Sequence, residues 1–265
     1  RAFEISSTWL LPSLEHFLRL SVAVYGWRMV SITHPHEFHR CKGYGLSDLR
    51  TLSEYGGVPP HLILQYRLGA LTYRPAFALV LDAATNSVVL SIRGSFEFSD
   101  LLTDLVAAAV PLCDSKSQQL GRVHAGMLEA AKNILNEVRT SLVEALELHV
   151  GWRLVVCGHS LGAGVAALIT ALVTLVETPV TLRNVAVTAF CYGCPPVMDP
   201  ELSQRLKSRI ITCIAGDDVV PRLSCHSVKH FKGSMLSALK QKLPQVQANL
   251  NKEGGGGEKE DVPHH

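Results

Sequence analysis

Apolar residues along this chain follow two alternating rhythms. Short runs of branched apolar residues stand at Phe77-Ala78-Leu79-Val80-Leu81, Val88-Val89-Leu90-Ser91-Ile92, Trp152 to Cys157, Asn184 to Phe190 and Arg209 to Ala215. Runs of this length and composition predict buried strands. Other segments repeat every three to four residues. Leu14 to Val30 predicts an amphipathic helix with Phe17, Leu18, Val22, Val24 and Tyr25 among its apolar positions. Phe98 to Val106 predicts a short one. Gly126 to His149 predicts a long one, with Met127, Ala130, Ile134, Val138, Leu142 and Leu146 on one face. Ala163 to Val173 predicts a packed helix, and Ser227 to Leu250 a helix broken at Pro244. His34 to Tyr55 is polar and glycine-containing and predicts loop. Asp82-Ala83-Ala84-Thr85-Asn86 joins the first two strands as a hairpin, whereas helical sequence separates the later strands, as parallel packing requires. The pattern describes an α/β fold with a mostly parallel central sheet and helices on both faces.

Composition narrows the class. The 265 residues permit one large α/β domain, expected over residues 1–250. The Gly254–Gly257 run with its flanking charges predicts a flexible tail over 251–265. At 47% hydrophobic and 18% charged the chain is globular, and a net charge of +2 offers no argument for nucleic acid. The seven cysteines are scattered, several in apolar runs, which favours a reducing compartment and inert thiols. Cys191-x-x-Cys194 lacks the second pair or histidine that a zinc site needs. The apolar run Val165 to Val176 falls short of a bilayer span. The chain opens on Arg1 without a methionine, which reads as a fragment.

The chemistry concentrates at Gly158-His159-Ser160-Leu161-Gly162. An apolar strand precedes this G-x-S-x-G pentapeptide and a small-residue helix follows it. Strand, sharp turn and helix form a nucleophile elbow, in which the glycines leave room for close approach. The Ser160 hydroxyl would stand at the strand tip, and the Leu161 N–H could face a developing oxyanion. A serine needs a base, and the base needs a carboxylate. On such a fold the acid follows a later strand. Asp217 and Asp218 both follow the run ending at Ala215 and compete for the role. Ser95, in Arg93-Gly94-Ser95 after the second strand, stands where a second oxyanion donor belongs; the alternative is a plain strand-ending turn.

These stretches together resemble the class 3 (fungal-type) lipases and, within them, the sn-1-specific diacylglycerol lipases, over about Leu14 to Leu239. Ala23-Val24-Tyr25-Gly26-Trp27 is similar to the opening helix of that group. Ile92-Arg93-Gly94-Ser95 is similar to its oxyanion strand, with Leu102-Thr103-Asp104-Leu105 as its sequel. His124-Ala125-Gly126-Met127 is similar to the start of the helix before the elbow. Asp218-Val219-Val220-Pro221-Arg222-Leu223 is similar to its acid motif. The resemblance implies an α/β-hydrolase fold. It implies Ser160 as nucleophile, Asp218 as acid, and Ser95 and Leu161 as oxyanion donors. His124 and Asp104 then take structural roles, and His159 supports the elbow. The implied reaction is hydrolysis of a diacylglycerol ester, at sn-1, to a fatty acid and a monoacylglycerol. The chemistry requires no metal, and calcium enters only as a family association. The implied partner is lipid at a membrane surface, on its cytoplasmic side.

The base is the part the pattern leaves open. No strand is read beyond Asp218, and the group carries a regulatory insertion here, then a Pro-Pro-Gly segment leading to its histidine. No Pro-Pro-Gly occurs in this chain. His226, His230, His264 and His265 are available, but the base is expected beyond His265. Phe96 to Val110 is a candidate lid, with an ordinary packed helix as the alternative. Lys229, Lys232, Lys240 and Lys242 could face lipid or simply solvent. Besides an ester-hydrolysing lipase, an acyltransferase or peptidase on the same fold and a non-catalytic lipid- or partner-binding domain remain open.

Overall fold

The computed structural model describes residues 10–40, 47–94, 108–176, 182, 185–223, 234 and 237. The chain forms two compact units, Arg1–Leu223 and Ser224–His265. The first is built on a sheet of six strands: β1 (Ile63–Arg67), β2 (Phe77–Asp82), β3 (Ser87–Ile92), β6 (Arg153–His159), β7 (Val187–Tyr192) and β8 (Ile210–Cys213), in the order β1-β2-β3-β6-β7-β8. The β1–β2 and β2–β3 pairs are antiparallel, and β3, β6, β7 and β8 run parallel. A separate two-stranded ribbon pairs β4 (Ala109–Cys113) with β5 (Gln119–His124). The helices are α1 (Leu10–Ala23), α2 (Trp27–Thr33), α3 (Pro35–Arg40), α4 (Asp48–Glu54), α5 (Ala125–Leu148), α6 (Leu161–Leu175) and α7 (Pro200–Leu206).

Side chains alternate across a strand, so an apolar run can fill two cores. Leu79, Leu90, Leu154, Val156 and Ala189 join one core with α5 and α6. Val80, Val89, Val155, Cys157 and Phe190 join another with α1 and α4. Both faces of the sheet are therefore buried, which is why its central strands read as continuous apolar sequence. On the α1 face, Phe17 packs on Phe190 with ring centroids 4.6 Å apart, and the Ser91 hydroxyl donates to the Leu20 carbonyl at 3.0 Å.

Several expected boundaries move. The helix expected over Leu14 to Val30 breaks into α1 and α2 at Gly26, whose φ is +84°. A Cβ there would lie 2.1 Å from the Asp48 carboxylate, which instead accepts the Trp27 N–H at 3.2 Å. The loop expected over His34 to Tyr55 contains α3 and α4. Ser47 caps α4 by accepting the Arg50 N–H, an i to i+3 bond that makes a polar segment helical. Strands β1, β4 and β5 were not expected. Strand β1 is only partly buried along its length, and Pro111 and Gly121 interrupt the strand signal of the ribbon. Ala109 and Val110, the end of the candidate lid, lie in β4; residues 96–107 of that segment fall outside the described residues. The hairpin of β2 and β3 matches expectation. Its turn is tied by Asp82, which accepts from Ala84 N–H at 3.2 Å and Thr85 hydroxyl at 2.6 Å.

Candidate active site

Ser160 stands at the end of β6 with φ +58° and ψ −125°. A non-glycine residue in that conformation costs on the order of 1–3 kcal/mol, so its surroundings must impose it. They do so through backbone. The Ser160 N–H donates to the Tyr192 carbonyl of β7 at 2.8 Å, and its carbonyl accepts from Ala163 and Gly164 at 2.9 and 3.2 Å, starting α6. A Cβ on Gly158 would lie 2.5 Å from the Gly162 carbonyl carbon, and one on Gly162 would lie 2.3 Å from the Ile92 carbonyl oxygen. Only glycine lets β3, β6 and α6 approach this closely. Ser160 is 8% exposed. Leu161 opens α6, in the turn whose N–H groups lack intrahelical acceptors.

Register brings the other elements to this edge. Ile92 pairs with Gly158, and His159 with Tyr192, so the ends of β3, β6 and β7 are level. Gly94 follows β3, and a Cβ on it would lie 3.3 Å from the Ser160 Cβ. Ser95, the expected second oxyanion donor, lies outside the described residues, as does Asp104. Asp218 follows β8 in a turn closed by its own N–H to the Ala215 carbonyl at 3.0 Å. Its Oδ1 accepts the Val220 N–H at 3.0 Å. Arg222 donates to the Asp218 and Gly216 carbonyls, the latter at 3.2 Å. Asp218 Oδ2 lies 2.8 Å from the point where Gly193 would carry a Cβ. Asp217 is exposed.

His159 separates the two. Its Nε2 lies 3.8 Å from the same point beside Gly193, and the Asp218 carboxylate acts on its imidazole through space. Its Nδ1 lies 3.1 Å from the Tyr25 hydroxyl. Although the residue as a whole is exposed, burial around its ring holds the imidazole below its ordinary value, with the Asp218 carboxylate opposing. Tyr25 is the residue that pattern reading missed as part of the site. It was counted as an apolar helix position, yet it lies just past α1, 3% exposed, and its oxygen accepts the Gly94 N–H at 3.0 Å. His124 caps α5, accepting the Met127 N–H at 3.2 Å through Nδ1. His226, His230, His264 and His265 lie outside the described residues.

Cys191 and Cys194 are free thiols on separate carbonyls, Ala163 and Pro195. Among the described residues no group of three or more His, Cys, Asp or Glu could hold a metal ion. Among the described residues, likewise, no helix is long and apolar enough to cross a membrane.

Comparison with known proteins agrees with this geometry. Residues 89–228 match the sequence model of the family Lipase (class 3). This chain belongs to the class 3 lipase family. It is similar to mouse diacylglycerol lipase-beta, 32% identical over 265 residues that cover 91% of this chain and 37% of that protein. It is also similar to human diacylglycerol lipase-alpha, 29% identical over 181 residues covering 64% of this chain and 16% of that one. The chain thus spans well under half the length of these relatives. Among solved structures, Rhizomucor miehei triacylglyceride lipase superposes with a TM-score of 0.60 at 19% identity, covering 82% of this chain and 76% of that one. Lipase II from Rhizopus niveus superposes with a TM-score of 0.59 at 19% identity over the same shares. These likenesses establish the α/β-hydrolase fold.

Proposed function

We propose that this chain is the catalytic part of a serine lipase that hydrolyses acylglycerols, with diacylglycerol cleaved at sn-1 as its reaction. The observation that carries this reading is Ser160, held at positive φ between two glycines at the strand tip. Ser160 attacks the ester carbonyl. The N–H groups of Leu161 and Ser95 receive the oxyanion, and Asp218 orients the histidine that takes the serine proton. That histidine is drawn from outside the described residues, because His159 adjoins Ser160 in the chain and its Nδ1 lies 3.1 Å from the Tyr25 hydroxyl. The acyl-serine is then hydrolysed, giving a fatty acid and a monoacylglycerol.

The same edge of the sheet carries exposed apolar side chains. Leu71 (68% exposed) and Tyr73 (52%) lie between Arg67 and Phe77, and Phe77 pairs with Ile92. Ile214 and Val219 flank the acid turn, each about half exposed. Apolar groups grouped around a catalytic serine support docking on a lipid surface. The free thiols fit a cytoplasmic, reducing side of that membrane.

Labelling with a fluorophosphonate, with Ser160→Ala as control, tests the reading. An adduct located by mass on Ser160 is expected. A folded chain that gives no adduct would instead favour a lipid-binding domain without turnover.

A further inference from the structure

The end of β7 touches both halves of the proposed site. The Tyr192 carbonyl accepts the Ser160 N–H at 2.8 Å, which holds the elbow. One residue on, the Gly193 N–H donates to the Cys213 carbonyl at 2.9 Å, which ties the same segment to the end of β8. Strand β8 leads into the turn of Asp218, so Tyr192 and Gly193 stand between the nucleophile and the acid. Gly193 has φ +58°, and a Cβ on it would have Asp218 Oδ2, His159 Nε2 and Asp218 Cγ as its nearest atoms, at 2.8, 3.8 and 3.9 Å. The carboxylate thus rests where another residue would carry its side chain. Within the turn the Val220 N–H donates to Oδ1, and Oδ2 is the oxygen over Gly193. We propose that Gly193 is a positioning residue, the seat that lets the Asp218 carboxylate come up to the end of β7, and that a side chain there would displace the acid rather than the fold.

The seat rests on the reading of Ser160 and Asp218 as nucleophile and acid, and Gly193 acts on the reaction only through Asp218. Its crowding differs in kind from that of the elbow glycines. A Cβ on Gly158 or Gly162 would meet backbone, at 2.5 and 2.3 Å, and backbone held in a sheet and a helix cannot step aside. A Cβ on Gly193 would meet the far end of a side chain, which can rotate to another staggered position. That rotation takes Oδ1 off the Val220 N–H and moves Oδ2 from its place beside the elbow. Misplacing a catalytic group by about 1 Å is enough to slow a reaction about a hundredfold. The fold, by contrast, loses one turn bond and bears the strain of a side chain at positive φ.

Gly193→Ala in the full chain tests the seat, with Gly151→Ala as control, because Gly151 also has positive φ, +86°, and a Cβ there would meet nothing within 4 Å. Both variants should fold. The backbone 15N NMR signal of Val220 should move in Gly193→Ala, as it does in Asp218→Asn, and stay in place in Gly151→Ala. Phosphonylation of Ser160 should slow about a hundredfold in Gly193→Ala and stay unchanged in Gly151→Ala. Added to Asp218→Asn, Gly193→Ala should slow it no further, because one change acts through the other. Three results overturn the proposal: a Val220 signal that stays in place, losses that add across the two positions, or a Gly193→Ala chain that unfolds beside a folded Gly151→Ala. A wild type that takes no label at Ser160 removes the proposed function instead, and the Val220 signal still decides whether Gly193 seats the carboxylate.

Discussion

The elbow that carries Ser160 and the turn that carries Asp218 meet at one edge of the sheet but are built by different means. Ser160 is buried, and its backbone is held by β7, by α6 and, through Gly158 and Gly162, by the carbonyl end of β3. Helix α6 is local, but β3 and β7 come from distant parts of the chain. Asp218 is half-buried, and its bonds run to Ala215, Val220 and Arg222, all within four residues. The Ser160 elbow is thus fixed largely by tertiary packing, whereas Asp218 sits in a locally made turn placed by the end of β8. The difference predicts that substitutions at the elbow should damage folding and chemistry together, and substitutions at the turn should separate them.

The harshest way to break the elbow is Gly162→Ala, since the new Cβ would meet the Ile92 backbone oxygen at 2.3 Å. We expect at least ~3 kcal/mol of destabilisation in denaturant unfolding and loss of labelling at Ser160. Stability and labelling both intact would show that the close approach constrains nothing. At the turn, Asp218→Asn should lower ester turnover by about 10⁴-fold while changing stability by no more than ~1 kcal/mol. Turnover that survives this change would place the acid elsewhere. Arg222→Ala removes bonds to the Asp218 and Gly216 carbonyls and should cost no more than ~1 kcal/mol, with turnover reduced by less than about tenfold. Asp217→Asn, at an exposed position, should leave stability within ~0.5 kcal/mol and turnover unchanged.

His159 sharpens the comparison because it belongs to the elbow and feels the Asp218 carboxylate. Burial lowers its imidazole in the folded chain, so protonation favours the unfolded one. Its contribution to stability is complete above the unfolded value of about 6.5 and is lost as pH falls from there through the folded value. Unfolding midpoints should therefore drop more steeply on acidification in the wild type than in His159→Gln. The effect should be small, because the residue is partly open to solvent. Identical slopes would show that the imidazole is not held neutral by the fold.

Much of this molecule was legible as pattern. The runs at Phe77, Val88 and Trp152 announce β2, β3 and β6, because strands buried on both faces leave little room for polar residues. The 3.6-residue period from Gly126 to His149 marks α5, whose inward positions are those expected. Gly158 and Gly162 are readable for the same kind of reason: a backbone contact that excludes a Cβ selects glycine at a fixed spacing around the serine. The half-exposed β1 and the Pro- and Gly-containing ribbon of β4 and β5 carry no such signal, and a single glycine split the first helix.

What the amino-acid order determined by itself is therefore the local part: periods, turn residues, the elbow pentapeptide and the aspartate turn after β8. Whether Tyr25 was a core filler or a polar clamp was decided only in three dimensions. Its partners lie 69 and 134 residues away, at Gly94 and His159. A phenol looks apolar to any periodic pattern, since most of its surface is a hydrocarbon ring. Its one polar atom gains meaning only when packing of α1 on the sheet sets it between the end of β3 and the elbow, where a buried hydroxyl must find partners.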